Sequence, residues 1–371
     1  MFQRYLLCFC FLAIPSENHP FWGNLVSPLY TQYRSYASAG FTAYLGAVAL
    51  LLSVFGLLTA QVEVQLDRVS NLLGDRQITE AKVILEKLYK ENDADPRVNY
   101  YLGVASLMEN NYDDAIDYLD VAIEGDDINP QYYFMLGNAY GVKAQRSGIF
   151  KAMFAVGKIK SNWEKAIELK PDFIEAYINL FQFHLQAPGI AGGSLNDAME
   201  IIKKVTQLHK NLGHALKANY ELINEKYPEA ESELREALKT DSSDAYYQQI
   251  LSFNLNLLNT FGYHYLNRDM MSKSRRYFSL AIQTAPDRAN PYDSMGDYYV
   301  QSSAYDSALT YYEKALKINP DFSVSRLNKG KMLEKLNRRS EAIEVYNSLI
   351  KDAPGSSYAQ EAEDRLEEIE Q

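Results

Sequence analysis

The stretch from Lys143 to Lys160 holds five cations, Lys143, Arg146, Lys151, Lys158 and Lys160, and no acidic residue. Ile149, Phe150, Met153, Phe154, Val156 and Ile159 are interleaved with them. In a chain of net charge −11 this is a local basic, apolar patch, and its field favours an anionic group or an acidic segment. Downstream comes APGIAGGS, residues 187–194. Pro188 cannot continue a helix, Gly189, Gly192 and Gly193 admit positive φ, and Ser194 with Asp197 matches a helix-starting pattern. A glycine-rich turn entering a helix can present its N–H groups to an anion. The turn lacks the Gly-Lys-Ser/Thr ending of a nucleotide-binding P-loop. Lys143, Arg146, Lys151, Lys158, Lys160, Gly192, Gly193 and Ser194 are therefore expected to form one rim site for an anion or an acidic partner segment. The same residues also fit a plainer arrangement, in which longer helices pack together and the cations are simply solvated.

Catalytic and metal chemistry have little to work with. The five histidines are His19, His184, His209, His214 and His264, and no two stand four apart as a helical metal pair requires. His209 and His214 are five apart, on different parts of a helix; His184 falls at an apolar position and reads as a packed side chain. The cysteines are Cys8 and Cys10 alone, so no disulfide framework or cysteine zinc site follows them. No nucleophile elbow occurs. The expectation is a protein without catalytic residues, metal or cofactor; an enzyme using the central insertions as a pocket is the remote alternative. The acidic balance argues against non-specific nucleic-acid binding, which needs clustered Lys and Arg.

The elements that must carry these residues are helices. In 289–322, Tyr292, Met295, Gly296 and Tyr299 lie on one face of a first helix, and Ala308, Tyr312 and Ala315 on one face of a second, with Pro320 as the stop. The same spacing recurs: Leu102, Gly103, Ala115, Leu119 and Ala122; Phe261, Gly262, Tyr265, Ser274, Phe278 and Ala281; Gly330, Leu333, Ala342, Tyr346 and Leu349. Fainter copies run through 62–95 and through a unit, degenerate in its first helix, that keeps Ala230, Leu234 and Ala237.

This pattern resembles the tetratricopeptide repeat, a helix–turn–helix of 34 residues, in several copies in register. The resemblance implies an all-α chain, a right-handed α-solenoid of about eight helix pairs over 61–356, closed by a capping helix at 357–371 with Tyr358, Ala362 and Leu366 on its packed face. Such repeats line a concave groove with their first helices and bind a peptide or partner segment there. The groove-facing places here are taken by Tyr100, Val104, Phe134, Asn138, Ile178, Gln182, Tyr263 and Asp297. Phe134 stands where chaperone-binding repeats carry a lysine, so a clamp for an acidic C-terminus is not expected. The array departs from its period near 143–160, at 187–194 and at 245–254, where the sixth repeat gains a longer first helix. An elongated repeat followed by A-P-G-I-x-G-G is similar to a family of secreted bacterial repeat proteins of no established role.

The N-terminus is read as a leader, 1–40, or a misassigned start, followed by FTAYLGAVALLLSVFGLLTA at 41–60. Twenty uncharged residues are long enough to span a bilayer. They suit a signal-peptide core cleaved before Gln61, an uncleaved anchor, or a buried helix. The expected setting is extracytoplasmic, periplasmic or secreted, or anchored to an inner membrane. The functional expectation is a protein–protein interaction scaffold, with a membrane-anchored assembly factor for an envelope complex as the alternative. Membrane contact would come only through 41–60 if it is retained.

Overall fold

The computed structural model describes residues 60–147 and 149–370, except for the side chains of 149–153 and 370. The leader and the apolar run 41–60, but for Ala60, lie outside the described residues, as does the Lys151 side chain. Every extended regular element among the described residues is an α-helix. The chain divides into two compact units, Met1–Asp126 and Asp127–Gln371.

The first unit holds α1 (60–74), α2 (Ile78–Glu91), α3 (Pro96–Met108) and α4 (Tyr112–Gly125). Pro96 opens α3 because the first helical turn needs no N–H there, and the Asp95 carboxylate accepts from Arg97 N at 2.9 Å. Leu66, Val69, Leu85, Val98 and Leu102 form its core.

The second unit holds α5 (Pro130–Gln145), α6 (Ile149–Leu169), α7 (Ile174–Gln186), a 3-10 turn (Gly189–Ala191) and α8 (Leu195–Leu208). It continues through α9 (Lys210–Ile223), α10 (Tyr227–Ala237), α11 (Tyr247–Leu266), α12 (Met271–Thr284) and α13 (Ala289–Gln301). It ends with α14 (Tyr305–Ile318), α15 (Ser323–Lys335), α16 (Arg339–Asp352) and α17 (Ser357–Glu370). Within each unit helices pair into hairpins, and successive hairpins pack on one another. That serial packing is an α-solenoid.

Two local devices repeat with the sequence. The turn inside a hairpin carries one residue at positive φ: Arg76, Asn110, Glu225, Asp269, Ser303 and Asn337. Arg76 and Asn110, and again Asp269, Ser303 and Asn337, are spaced by the 34-residue period. The second device locks the pair. A Cβ on Gly103, Gly262, Gly296 or Gly330 would lie within 2.2–2.7 Å of Leu119, Phe278, Tyr312 or Tyr346 respectively, the large side chain sixteen residues later. Only glycine lets the partner helix come that close.

The α5–α6 hairpin keeps the lock and discards the turn. A Cβ on Gly137 would meet Trp163 at 2.6 Å, ten residues later than the rule. Ala144, where the positive-φ turn should fall, is helical instead. The insertion is thus a helical extension, giving α5 16 residues and α6 21. Likewise 247–254 lengthen α11 to 20 residues.

Two expectations need correction. Tyr358 of α17 points outward at 39% exposure, and Ala359 joins Ala362 in the packed face. One helical step separates the two readings, and the small alanine is what fits against α16. His209 is not within a helix: it sits at the α8–α9 junction, where its Nδ1 accepts from Leu212 N at 3.2 Å.

Candidate functional site: an amide-lined cavity at α5–α7

The long hairpin leaves part of α5 and α6 beyond the reach of the 13-residue α7. The APGIAGGS segment fills some of that space. Pro188 ends α7, the 3-10 turn follows, and Gly192 takes φ +82. Gly193 N donates to Pro188 O at 3.2 Å, and a Cβ on Gly193 would stand 1.7 Å from Ala187 O. Ser194 N donates to His184 O at 3.1 Å, while Ser194 Oγ accepts from Asp197 N at 3.2 Å to start α8. The loop is folded back so that the Gly192 Cα lies beside Val156 of α6 and Phe183 of α7.

Between these walls lies a cavity of about 730 Å³. Phe134, Val142, Val156, Ile159, Phe183 and Ile190 supply its apolar surface. Five carboxamides supply its polar surface: Asn138 and Gln145 from α5, and Asn179, Gln182 and Gln186 from α7. Among the described residues, no charged side chain lines it. At its floor Trp163 Nε1 donates to Asn138 Oδ1 at 3.0 Å, and Asn179 Nδ2 donates to the same oxygen at 2.7 Å. Phe134 packs on Phe173 with ring centroids 5.0 Å apart.

The expected groove residues separate here. Phe134, Asn138 and Gln182 line the cavity together. Ile178 does not: at 9% exposure it belongs to the core with Ile202, Leu212 and Leu216, because α7 is apolar on more than one face. Tyr263 and Asp297 are committed to each other. Tyr263 OH and Tyr312 OH both donate to the Asp297 carboxylate at 2.6 Å, and burial pushes both phenols far above their ordinary range. Tyr100 and Val104 belong to the first unit, where Tyr100 stacks edge-on to Tyr101 and Val104 packs against the core.

The rim residues divide too. Lys158 Nζ lies 4.8 Å from the Tyr140 ring centre and 3.2 Å from its hydroxyl, and Lys160 Nζ stands 5.8 Å from the centre of Phe183. Lys143 and Arg146 close the C-terminal end of α5. The turn itself is not an anion nest: the Gly192, Gly193 and Ser194 N–H groups are bonded to the carbonyls of Gly189, Pro188 and His184. Folding the loop onto α7 has used the donors that an anion would need. His184 is packed, as expected, at 5% exposure; burial holds its pKa below the ordinary value, reinforced by Lys160.

The cavity residues that the repeat pattern does not mark are Val142, Gln145, Val156, Trp163 and Gln186. The available signal was an uncharged amide pair one turn apart, Gln182 and Gln186, and a tryptophan, Trp163, displaced from its register.

Helical hairpins in series within each unit define the chain as an α-solenoid. The chain carries tetratricopeptide repeats. The family profile, "Tetratricopeptide repeat", matches residues 72–136 and 299–366. The yeast Tom70 crystal structure superposes with a TM-score of 0.60 at 16% identity, over 80% of this chain and 59% of that one, which is a likeness of fold. Among curated proteins, tetratricopeptide repeat protein 37 of Xenopus laevis is 22% identical over 276 residues, 73% of this chain and 16% of its own length. The uncharacterised protein ycf37 of Guillardia theta is 41% identical over 63 residues, 17% of this chain and 35% of its own. The chain thus spans well under half the length of these two curated relatives. Proteins of this repeat class are in general scaffolds for protein–protein interaction rather than catalysts.

Proposed function

We propose that this chain is an interaction scaffold that holds an extended segment of a partner protein along α5 and α7, with the cavity as its anchor point. The observation that carries the reading is the cavity's composition. An apolar surface with a few convergent hydrogen-bonding groups is the usual make-up of a binding site, and about 730 Å³ lies within the usual size. Carboxamides both donate and accept, which matches a peptide main chain.

A photo-crosslinking residue at Gln182 tests this against one at Lys204, an exposed position on α8. A partner crosslinked from Gln182 and not from Lys204 is the expected result; the reverse pattern defeats the reading.

The run 41–60 supports an extracytoplasmic or membrane-anchored setting. Sequencing the mature N-terminus tests it. A chain beginning at Gln61 has been cleaved, and one that keeps 41–60 and needs detergent for extraction is anchored.

A further inference from the structure

We infer that His184 is an acid-sensitive catch on the loop 187–194, and that a proton on its ring frees this wall of the cavity. As regulation of the cavity the inference rests on the scaffold reading; the loop movement itself is measured without a partner.

The geometry of the loop closure comes first. His184 lies in the last turn of α7, and its main-chain carbonyl accepts from Ser194 N at 3.1 Å, the bond that folds the loop back. Ser194 Oγ in turn accepts from Asp197 N at 3.2 Å. The two residues that hold Ser194 also face each other through their side chains: His184 Nδ1 stands 3.7 Å from Asp197 Oδ2, beyond hydrogen-bond reach.

The ring is 5% exposed, and Nδ1 is buried without a hydrogen-bond partner. A neutral imidazole can leave that nitrogen as a bare acceptor, whereas an imidazolium carries two N–H donors. Protonation therefore places both a charge and an unpaired donor in a buried site. To meet the donor, the Asp197 carboxylate, 58% exposed, would have to leave water, or the loop would have to move.

Three charged side chains face the ring, Lys160 and Glu164 of α6 and Asp197 of α8. Burial holds its pKa below the ordinary 6.5; Lys160 acts in the same direction, and Asp197 and Glu164 oppose without reversing it. The C-terminal end of a helix favours a cation, but loss of water from a buried one is the larger effect. A base whose folded pKa is lowered contributes stability that is full above the unfolded value and is lost as pH falls below 6.5. The loop is where that loss is relieved. No residue from Ala187 to Ser194 is fully buried, so freeing the segment gives up little packing. Opening removes Pro188, Ile190 and Ala191 from the cavity wall.

The test is amide hydrogen exchange on the full chain from about pH 7.5 to about pH 5, the range in which histidine titrates, with rates corrected for intrinsic exchange. Opening at the Ser194 amide should rise several-fold as pH falls, while the amides of α3 stay level. His184→Gln, which cannot gain a proton, should abolish the rise. Should that variant fail to fold, charge decides: Lys160→Gln should shrink the rise and Asp197→Asn should enlarge it. A rise that persists in His184→Gln, or is indifferent to both charge variants, overturns His184 as the catch. A rise shared by α3 is a global effect of acid and overturns it too. Stronger protection of Ser194 in acid, lost in Asp197→Asn, replaces opening by an ion-pair clasp. Crosslinking from Gln182 should weaken in acid for the wild type and hold in His184→Gln. No crosslink at neutral pH defeats the scaffold reading alone, and the exchange result still decides the catch.

Discussion

The Trp163 indole donates to Asn138 Oδ1 at 3.0 Å, a polar tie between α6 and α5 at the cavity floor. The same oxygen receives Asn179 Nδ2 at 2.7 Å, so one carboxamide ties three helices together. Asn138→Ala leaves two donors without an acceptor and should cost about 1–3 kcal/mol in urea unfolding of the chain. Asn138→Asp keeps both acceptor contacts and should cost less.

Gly193 and Gly192 should fail differently when replaced by alanine. At Gly192 the obstacle is a φ of +82, which costs an L-residue about 1–2 kcal/mol, and the nearest neighbour of the new Cβ is an ordinary contact at 3.7 Å. At Gly193 the new Cβ meets the Ala187 carbonyl oxygen at 1.7 Å, and a backbone atom cannot rotate away. Gly193→Ala should therefore open the loop and cost more than Gly192→Ala. Hydrogen exchange should show new exposure of the Ser194 amide in the first variant and little in the second.

Asp293 makes the C-terminal repeats sensitive to pH. It is 5% exposed, bonded by Ser325 Oγ at 2.6 Å, and raised to about 6 by burial despite Ser325 and Asn328, with Asp297 adding repulsion. The tyrosines around Asp297 are neutral donors. A carboxyl whose folded pKa exceeds its unfolded value of 3.8 contributes most below that value. Its contribution falls as pH rises towards about 6, by about 3 kcal/mol in total, and is level beyond. Asp293→Asn should remove that decline: relative to wild type it should gain stability steadily from pH 4 to about 6.5, as read from urea midpoints. A constant difference across that range would refute the assignment.

Arg365 holds the closing helix. Its Nε donates to Glu334 Oε1 at 3.0 Å and a second guanidinium nitrogen bonds the other carboxylate oxygen, a bidentate pair whose glutamate is 15% exposed. Glu334 also accepts from Tyr346 OH. Arg365→Ala should cost about 1–3 kcal/mol, as loss of a charged hydrogen-bond partner does, and should free α17 first. Amide exchange along Ser357–Glu370 should accelerate, while α5–α8 should remain unchanged. Arg365→Lys should recover part of the loss, since it keeps the charge and loses the fork.

The fold was legible because its physics is local and periodic. Gly103, Gly262, Gly296 and Gly330 stand opposite a large side chain sixteen residues on, and such spacing can be read without coordinates. Packing between neighbouring hairpins needs only that face, so the period alone establishes helix pairs in series and the need for neighbours to cover them. Sequence also located the departures, and singled out two of the three, near 143–160 and at 187–194, as the individual part of the chain. It placed the basic segment and the glycine turn on one rim, but it could not join them to the groove residue Gln182. That junction came from the extension of α6, the return of Trp163 to register ten residues late, and the loop folding onto Phe183. Nor could it show where donors were used. The Gly192–Ser194 amides looked free for an anion and are bonded to carbonyls; Ile178 looked groove-facing and is core; Asp297 looked available and holds two tyrosines. Periodicity names the face of a helix, but hydrogen-bond satisfaction and the width of a gap depend on residues far apart in the chain. Only the tertiary structure brings those residues within a few ångströms of each other.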